Sequence, residues 1–551
     1  MIVWETFKKC NFVLKYTELM KLKLFLFALA TLFLSSVNAQ GDKSFTPEQK
    51  FLRTMQLLRT AYVDSVDVDR VVEIGIRLML EHLDPHSVYM TADEVKKSNE
   101  PLQGNFEGVG IQFQIIRDTV NVIATISGGP SEEVGLMASD KIVVIDGEPF
   151  VGDVVTNNSV SDKLRGQKGT KVVVGVVRGS SKEIIFFEII RDKIPIYSID
   201  ASFMIDDEIG YIKVNRFSNT TIDEFEKAMV RLDAQSVQDL IIDLRNNSGG
   251  YLKTAIELVD QFFDKDKLIV YTKGVNTKGD RYFSTSKGKF KYGRVVVIID
   301  EGSASASEIL AGAIQDWDRG VVIGRRSYGK GLVQKPYTYP DGSAVRLTTA
   351  RYYTPTGRCI QKPYDDDKKK YLTELNERLE NGELVSLDSI SFPDSLMFTT
   401  PAGRKVYGGG GVMPDIFVPL DTTRLSDYYV NIARKNMFNI FIADYMQKNR
   451  EVLQKQYSNV YDYKIAWIPR SNELVNAIIE YATAQDIEFT EISDETREFM
   501  GYILVAQVAR NLFEQEAYYQ VVMDVDNEVQ EALRILHSDE YNKMLKVKTG
   551  N

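Results

Sequence analysis

Ser303, Ser305 and Ser307 alternate in EGSASASEILAGA (residues 301–313), after the apolar run 295–300 and before a stretch of good helix formers. An apolar run bounded by turn residues predicts a buried strand, so the serines stand at a strand-to-helix corner. Ser305-Ala306-Ser307-Glu308 has capping-box spacing, which predicts Ser305 at the helix start. A hydroxyl there can attack a carbonyl while the next N–H, that of Ala306, faces the developing oxyanion. It can equally do no more than cap the helix, and spacing leaves both readings open. A nucleophilic serine needs a base, and the chain has only 3 histidines, His82, His86 and His537, none beside a glycine-framed serine. The other activator is a lysine made neutral by burial. Lys330 fits, between Gly329 and Gly331 in RRSYGKGLVQ after the apolar GVVIG, although a surface turn lysine has the same pattern. A second backbone donor is offered by Gly249 or Gly250 in DLRNNSGGYL, at the carboxyl end of a predicted strand, where α/β sheets bind ligands.

Other chemistries fit less well. His82 and His86 are spaced like zinc ligands, but Pro85 breaks the helix that would align them, and they read as structural. The glycines at 408–411 lack the Lys-Ser/Thr of a phosphate loop and read as a tight turn or close backbone approach. Ser327-Tyr328-Gly329-Lys330 and Lys548-Thr549-Gly550 match the SxxK and KTG of penicillin-binding proteins. Glycines on both sides of the lysine disfavour the helix that motif needs, and its KTG falls at the chain end. Of the 2 cysteines, Cys10 and Cys359, the first lies in or before a removable segment, so neither a disulfide nor a cysteine metal cluster is expected. We expect no metal and no cofactor. A net charge of −10 argues against general nucleic-acid binding.

These residues must be positioned by several domains, because 551 residues exceed one compact core. Residues 20–40, with Lys21 and Lys23 before an apolar run and small residues before Gln40, read as a secretory signal. Export follows as the expectation: periplasmic first, with a membrane-associated or extracellular location as variants. Residues 44–97 are helical by pattern and end at LDPHSVYM. Residues 98–192 carry short β-rich runs separated by turn residues. Residues 195–360 alternate strands and helices, the mark of an α/β core. Residues 362–400 are charged and read as a surface insertion, and the chain beyond Leu420 is helical.

The set DLRNNSGG, GSASASEILAGAIQDWDRGVVIGRRSYGKGLVQ, YYTPTGRCIQ and GGGGVMPDI resembles the carboxyl-terminal processing (tail-specific) proteases over about residues 50–420. The resemblance implies Ser305 as nucleophile, Lys330 as general base and Gln334 as the residue orienting that lysine. It implies the N–H of Ala306 and of Gly249 or Gly250 as oxyanion donors. GVGIQF resembles the carboxylate-binding loop of a PDZ domain, where successive N–H groups receive a chain terminus and a strand pairs with the peptide. Gly108, Val109, Gly110, Ile111 and Phe113 are then the contacts, with Leu164 on the helical wall of an apolar pocket. The implied fold is multidomain α/β. A PDZ-like domain (98–192) lies between an N-terminal helical segment (40–97, after 1–39) and a crotonase-like or ClpP-like serine protease core (193–420). A helical extension (421–551) follows. The implied partners are proteins or peptides with apolar C-termini, and the terminal helical regions are candidates for self-association. The rival expectation is a non-catalytic PDZ scaffold or holdase on the same fold.

Overall fold

The computed structural model describes residues 45–545 except 127, 180, 182 and 366. The expected signal segment, Cys10 and the KTG at 548–550 lie outside the described residues. The chain divides into two units, 1–78 and 79–551. In the first, the helix Pro47–Ala61 opens on a Thr46 capping box closed by Gln49, and it buries none of its residues. Among the described residues no helix is long and apolar enough to cross a membrane.

The second unit is organised by a six-stranded sheet in the order Ile199–Met204, Ile209–Val214, Asp239–Asp243, Val295–Ile299, Val321–Gly324 and Ile416–Phe417. Only the first pair is antiparallel. Its central strands are buried along their whole length. Such continuous apolar runs are what a sheet covered on both faces requires. On one face Ile242, Val295, Val297 and Ile299 pack with Phe225, Leu258 and Leu310, from helices Thr221–Asp233, Leu252–Asp260 and Ala306–Asp316. On the other, Ile241, Val296, Ile298 and Ile323 meet Val529, Ala532, Ile535 and Leu536 from the helix Asn527–Leu536. The C-terminal helical region is therefore split by its packing. Helices between Asp427 and Val522 share a core of their own, whereas the last helices are a layer of the central sheet.

A second, antiparallel sheet runs Val88–Met90, Ala344–Tyr353, Leu268–Lys273 and Arg281–Phe283, with Leu332–Thr338 also paired to Ala344–Tyr353. The strand Val88–Met90 corrects the reading of LDPHSVYM as a mere helix end: Tyr89 pairs with Val345. Residues 111–190 form a separate five-stranded sheet with one small extra strand and the helix Asn157–Leu164. A two-stranded ribbon, Asn105–Gly108 with Asp192–Pro195, closes its base, so chain entry and exit lie side by side. Within the charged segment 362–400 the helix Lys368–Glu380 buries Tyr371 and Arg378, and Arg378 pairs with Glu383 at 2.8 Å.

Candidate active site

Ser305 precedes the helix Ala306–Asp316 with φ +56° and ψ −109°. This backbone region costs a residue with a Cβ about 1–3 kcal/mol and persists only when its surroundings enforce it. The neighbouring serines do the enforcing. Ser303 Oγ donates to the Leu244 carbonyl at 2.9 Å, and Ser307 Oγ donates to the Asn247 carbonyl at 2.8 Å. Both serines are fully buried, while Ser305 stays partly accessible. Corner and 244–250 turn are thus stitched together, and Gly249 lets them touch. A Cβ on Gly249 would lie 2.8 Å from that of Ser305.

Glu308 is fully buried and ties the serine corner to the lysine loop. One oxygen accepts the Ser305 N–H at 2.8 Å and the Lys330 N–H at 2.9 Å. The other accepts Ser327 Oγ at 2.5 Å and the Gly329 N–H at 2.7 Å. Burial pushes its carboxyl above the ordinary value, against the pull of these four donors. The Tyr352 hydroxyl lies within reach of the Ser305 carbonyl at 3.0 Å and the Lys330 carbonyl at 2.8 Å, with one proton to share between them. Ser327, the serine of the SxxK match, is committed to Glu308, and no helix carries it to Lys330.

Burial pushes the Lys330 amine below its ordinary value. Arg346 adds to that effect, and Glu308 and Asp84 oppose it. Ser305, Ala306, Gly249, Gly250, Lys330, Gln334, Arg346 and Tyr352 line one cleft of about 390 Å3, which Met90, Ser98, Asn99 and Leu102 help to wall. The Gln334 side-chain amide donates to the His86 carbonyl at 2.6 Å, not to the lysine. His86 itself binds the Tyr371 hydroxyl at 2.9 Å. Burial first, and then Lys330, push its imidazole down to about 4, so it is uncharged at neutral pH. The Gly249 N–H is occupied by Asn247 Oδ1 at 2.9 Å. The N–H groups of Gly250 and Ala306 have no hydrogen-bond partner among the described residues.

The hairpin 332–353 lies between two cavities and contributes side chains to both, with its register shifted between Val333 and Gln334. Gln334, Pro336, Arg346 and Tyr352 face the cleft. Lys335, Tyr337, Leu347, Arg351 and Tyr353 face a separate cavity of about 1010 Å3.

In the small β domain, Ile111–Ile116 is the end strand of its sheet, paired among the described residues only with Thr119–Thr125. Val109, Val160 and Leu164 are buried in one cluster, against which Ile111 and Phe113 pack. Leu164 is therefore a core residue at the end of its helix, 4% exposed. Gly110 has φ +77°. Gly108 pairs with Asp192 in the basal ribbon, and a Cβ on it would come 3.6 Å from the Arg165 Cα just beyond the helix. The glycines at 408–411 make a close backbone approach, with Gly409 and Gly411 donating to the carbonyls of Cys359 and Ile360. Sequence reasoning missed Tyr352, Arg346 and the bridging role of Glu308. Only Glu308 left a signal, as the acid of the capping box.

A hydroxyl on a strained corner, a buried amine and two unspent N–H groups around one cleft are the groups of a serine-type hydrolase. Comparison with known proteins agrees. Residues 208–367 match Peptidase family S41, and residues 428–514 match a family of unknown function (DUF8443). The chain is 35% identical over 331 residues to the carboxy-terminal processing protease CtpB of Bacillus subtilis, covering 60% of this chain and 68% of that one. It is 33% identical over 343 residues to the carboxy-terminal-processing protease of Bartonella bacilliformis, covering 61% and 78%. Among solved structures, the photosystem II D1 C-terminal processing protease is 25% identical and covers 70% of this chain and 95% of its own, with a TM-score of 0.36. The chain belongs to the carboxy-terminal processing proteases of peptidase family S41, and it is a serine protease.

Proposed function

We propose that this protein is an exported endopeptidase that captures the C-terminal tail of a protein substrate on its small β domain, a PDZ module, and cuts with a Ser305–Lys330 dyad. The observation that carries the reading is the buried Glu308 carboxylate, which holds the backbone of both residues through one oxygen. The neutral Lys330 amine takes the Ser305 proton as Oγ attacks the scissile carbonyl. The oxyanion forms against the N–H groups of Ala306 and Gly250, and Gly249 is the residue that admits the turn. The lysinium then protonates the leaving amine, and a water deprotonated by the same amine releases the acyl group. Gln334, anchored on the His86 carbonyl through its nitrogen, offers its oxygen to orient the amine. No step draws on a metal or cofactor.

The sign of the pH dependence follows from the lysine. Only the uncharged amine is a base, and its fraction grows as pH rises through the folded-state pKa, which lies below the usual lysine value. Turnover should therefore rise with pH and level off below the ordinary lysine range, with the same profile after His86→Gln. A profile unmoved by pH from 6 to 10 would remove Lys330 from the base role.

Tail capture rests on the unpaired edge of Ile111–Ile116, open to a further strand, and on the Val109-Gly110 loop beside Leu164. Peptides ending in small or apolar residues with a free carboxylate should bind Ser305→Ala protein about tenfold to hundredfold more tightly than their amidated counterparts. A charge-assisted hydrogen bond contributes about 1.5–3 kcal/mol. Titrating labelled pairs without turnover measures this, and equal affinities would exclude carboxylate recognition by this loop.

A further inference from the structure

Arg346 lies on the strand Ala344–Tyr353, opposite Pro336 on one side and Val88 on the other, and lines the cleft that holds Ser305 and Lys330. Its guanidinium has no ion pair and no hydrogen bond among the described residues, and its Nε is fully enclosed without a partner. Burial alone lowers its affinity for the proton. No acid lines the cleft, and the two carboxylates whose charge reaches Lys330 hydrogen-bond to other groups. Glu308 holds four donors. Asp84 accepts from the His86 and Ser87 N–H groups and from the hydroxyls of Ser87 and Thr348. A half-buried cation without a counter-ion is unfavourable, and removing water from it without a partner makes it more so. A guanidinium also presents a planar fork that fits a carboxylate with two parallel bonds.

We infer that Arg346 is a specificity residue of the proposed peptidase site, taking an Asp or Glu side chain of the substrate close to the scissile bond. Resting on that reading, the inference adds a second, internal requirement to the one placed on the tail: the enzyme selects where it cuts by an acidic residue. Bound substrate completes the ion pair that the protein leaves open. Arg346 takes no part in bond breaking; beyond helping to hold the Lys330 amine below its ordinary value, its contribution falls on substrate choice.

The test uses the full chain and peptides with one common tail. A Glu is walked through the three positions on either side of the cleaved bond, each peptide paired with its Gln isostere. The readout is the Glu/Gln ratio of kcat/KM, which a partial loss of folded enzyme leaves untouched because both peptides meet the same enzyme. At one position the ratio should be about ten to a hundred, the worth of a charged hydrogen bond. It should fall to about one in R346Q and stay between these values in R346K, which keeps the charge but not the fork. Should R346Q fail to fold, the drop in R346K decides. A ratio near one at every position in the unaltered protein, or a ratio that survives in the variants, overturns the assignment and leaves the dyad standing. Cleavage of neither peptide overturns the peptidase reading, and this inference with it.

Discussion

Under the proposed dyad, Ser305→Ala and Lys330→Ala should each reduce kcat by on the order of 10³-fold or more, and the double variant should be hardly worse than either, because members of one catalytic unit are not additive. The structure sharpens the control. Ser303 and Ser307 spend their hydroxyls on the carbonyls of Leu244 and Asn247 in a fully buried corner. Replacing either by Ala removes one donor from a carbonyl that keeps a second, the Asn247 N–H for Leu244 and the Ala304 N–H for Asn247, a loss of about 0.5–1.5 kcal/mol in stability. Enzyme that remains folded should turn over far better than Ser305→Ala. Measuring kcat beside thermal unfolding separates the two effects. An active Ser305→Ala together with a folded but inactive Ser307→Ala would move the nucleophile and, with it, the whole assignment.

Glu308 carries the second large effect. Removing it in Glu308→Ala leaves one hydroxyl and three backbone N–H groups without an acceptor in a sealed site. The expected loss is about 3 kcal/mol or more, since each buried unsatisfied donor costs about 1–3 kcal/mol and neighbours do not simply add. Activity should fall further than stability implies. Ser305 and Lys330 share one oxygen of this carboxylate, and a displacement of about 1 Å between reacting groups costs on the order of 10²-fold. Glu308→Gln should be milder. Its single carbonyl oxygen can accept from the Ser305 and Lys330 N–H groups, while its amide NH2 donates to Ser327 Oγ, leaving Gly329 without an acceptor. Chemical denaturation and kcat measured on both variants check this order. Wild-type kcat in folded Glu308→Ala would show that the carboxylate does not align the pair.

The corner itself was legible in the sequence, because its signals are local: an apolar run, small residues, a capping spacing and a helix. The apolar runs likewise marked the central strands, since both faces of that sheet are covered. What could not be read is what depends on distant partners. Val88–Met90 is a strand only because Ala344–Tyr353 lies beside it. Glu308 looks like an ordinary cap partner until Ser327, Gly329 and Lys330 arrive from another element. Gly249 and Gly250 are equivalent in sequence, and only the side chain of Asn247 distinguishes their N–H groups. Arg346 is one arginine among many until its surroundings leave it without an acid. The last helices read as part of a terminal extension because amphipathic spacing does not say which sheet they will cover.

The partition formed by the hairpin 332–353 turns chain length into a determinant of activity. Pro336 stands opposite Arg346 and Gln334 opposite Thr348, and a shift of either strand by one residue would exchange its two faces. Gln334 and Arg346 would then turn toward the large cavity, while Lys335 and Leu347 turned toward Ser305. Substitutions at Tyr339 and Pro340 in the exposed tip leave this frame intact, whereas Gly342, at φ +85° and with the Ala92 Cβ 3.2 Å from where its own would stand, is held to glycine. An insertion or deletion there that neither the turn nor a bulge absorbs would put the side chains of one strand on the wrong wall.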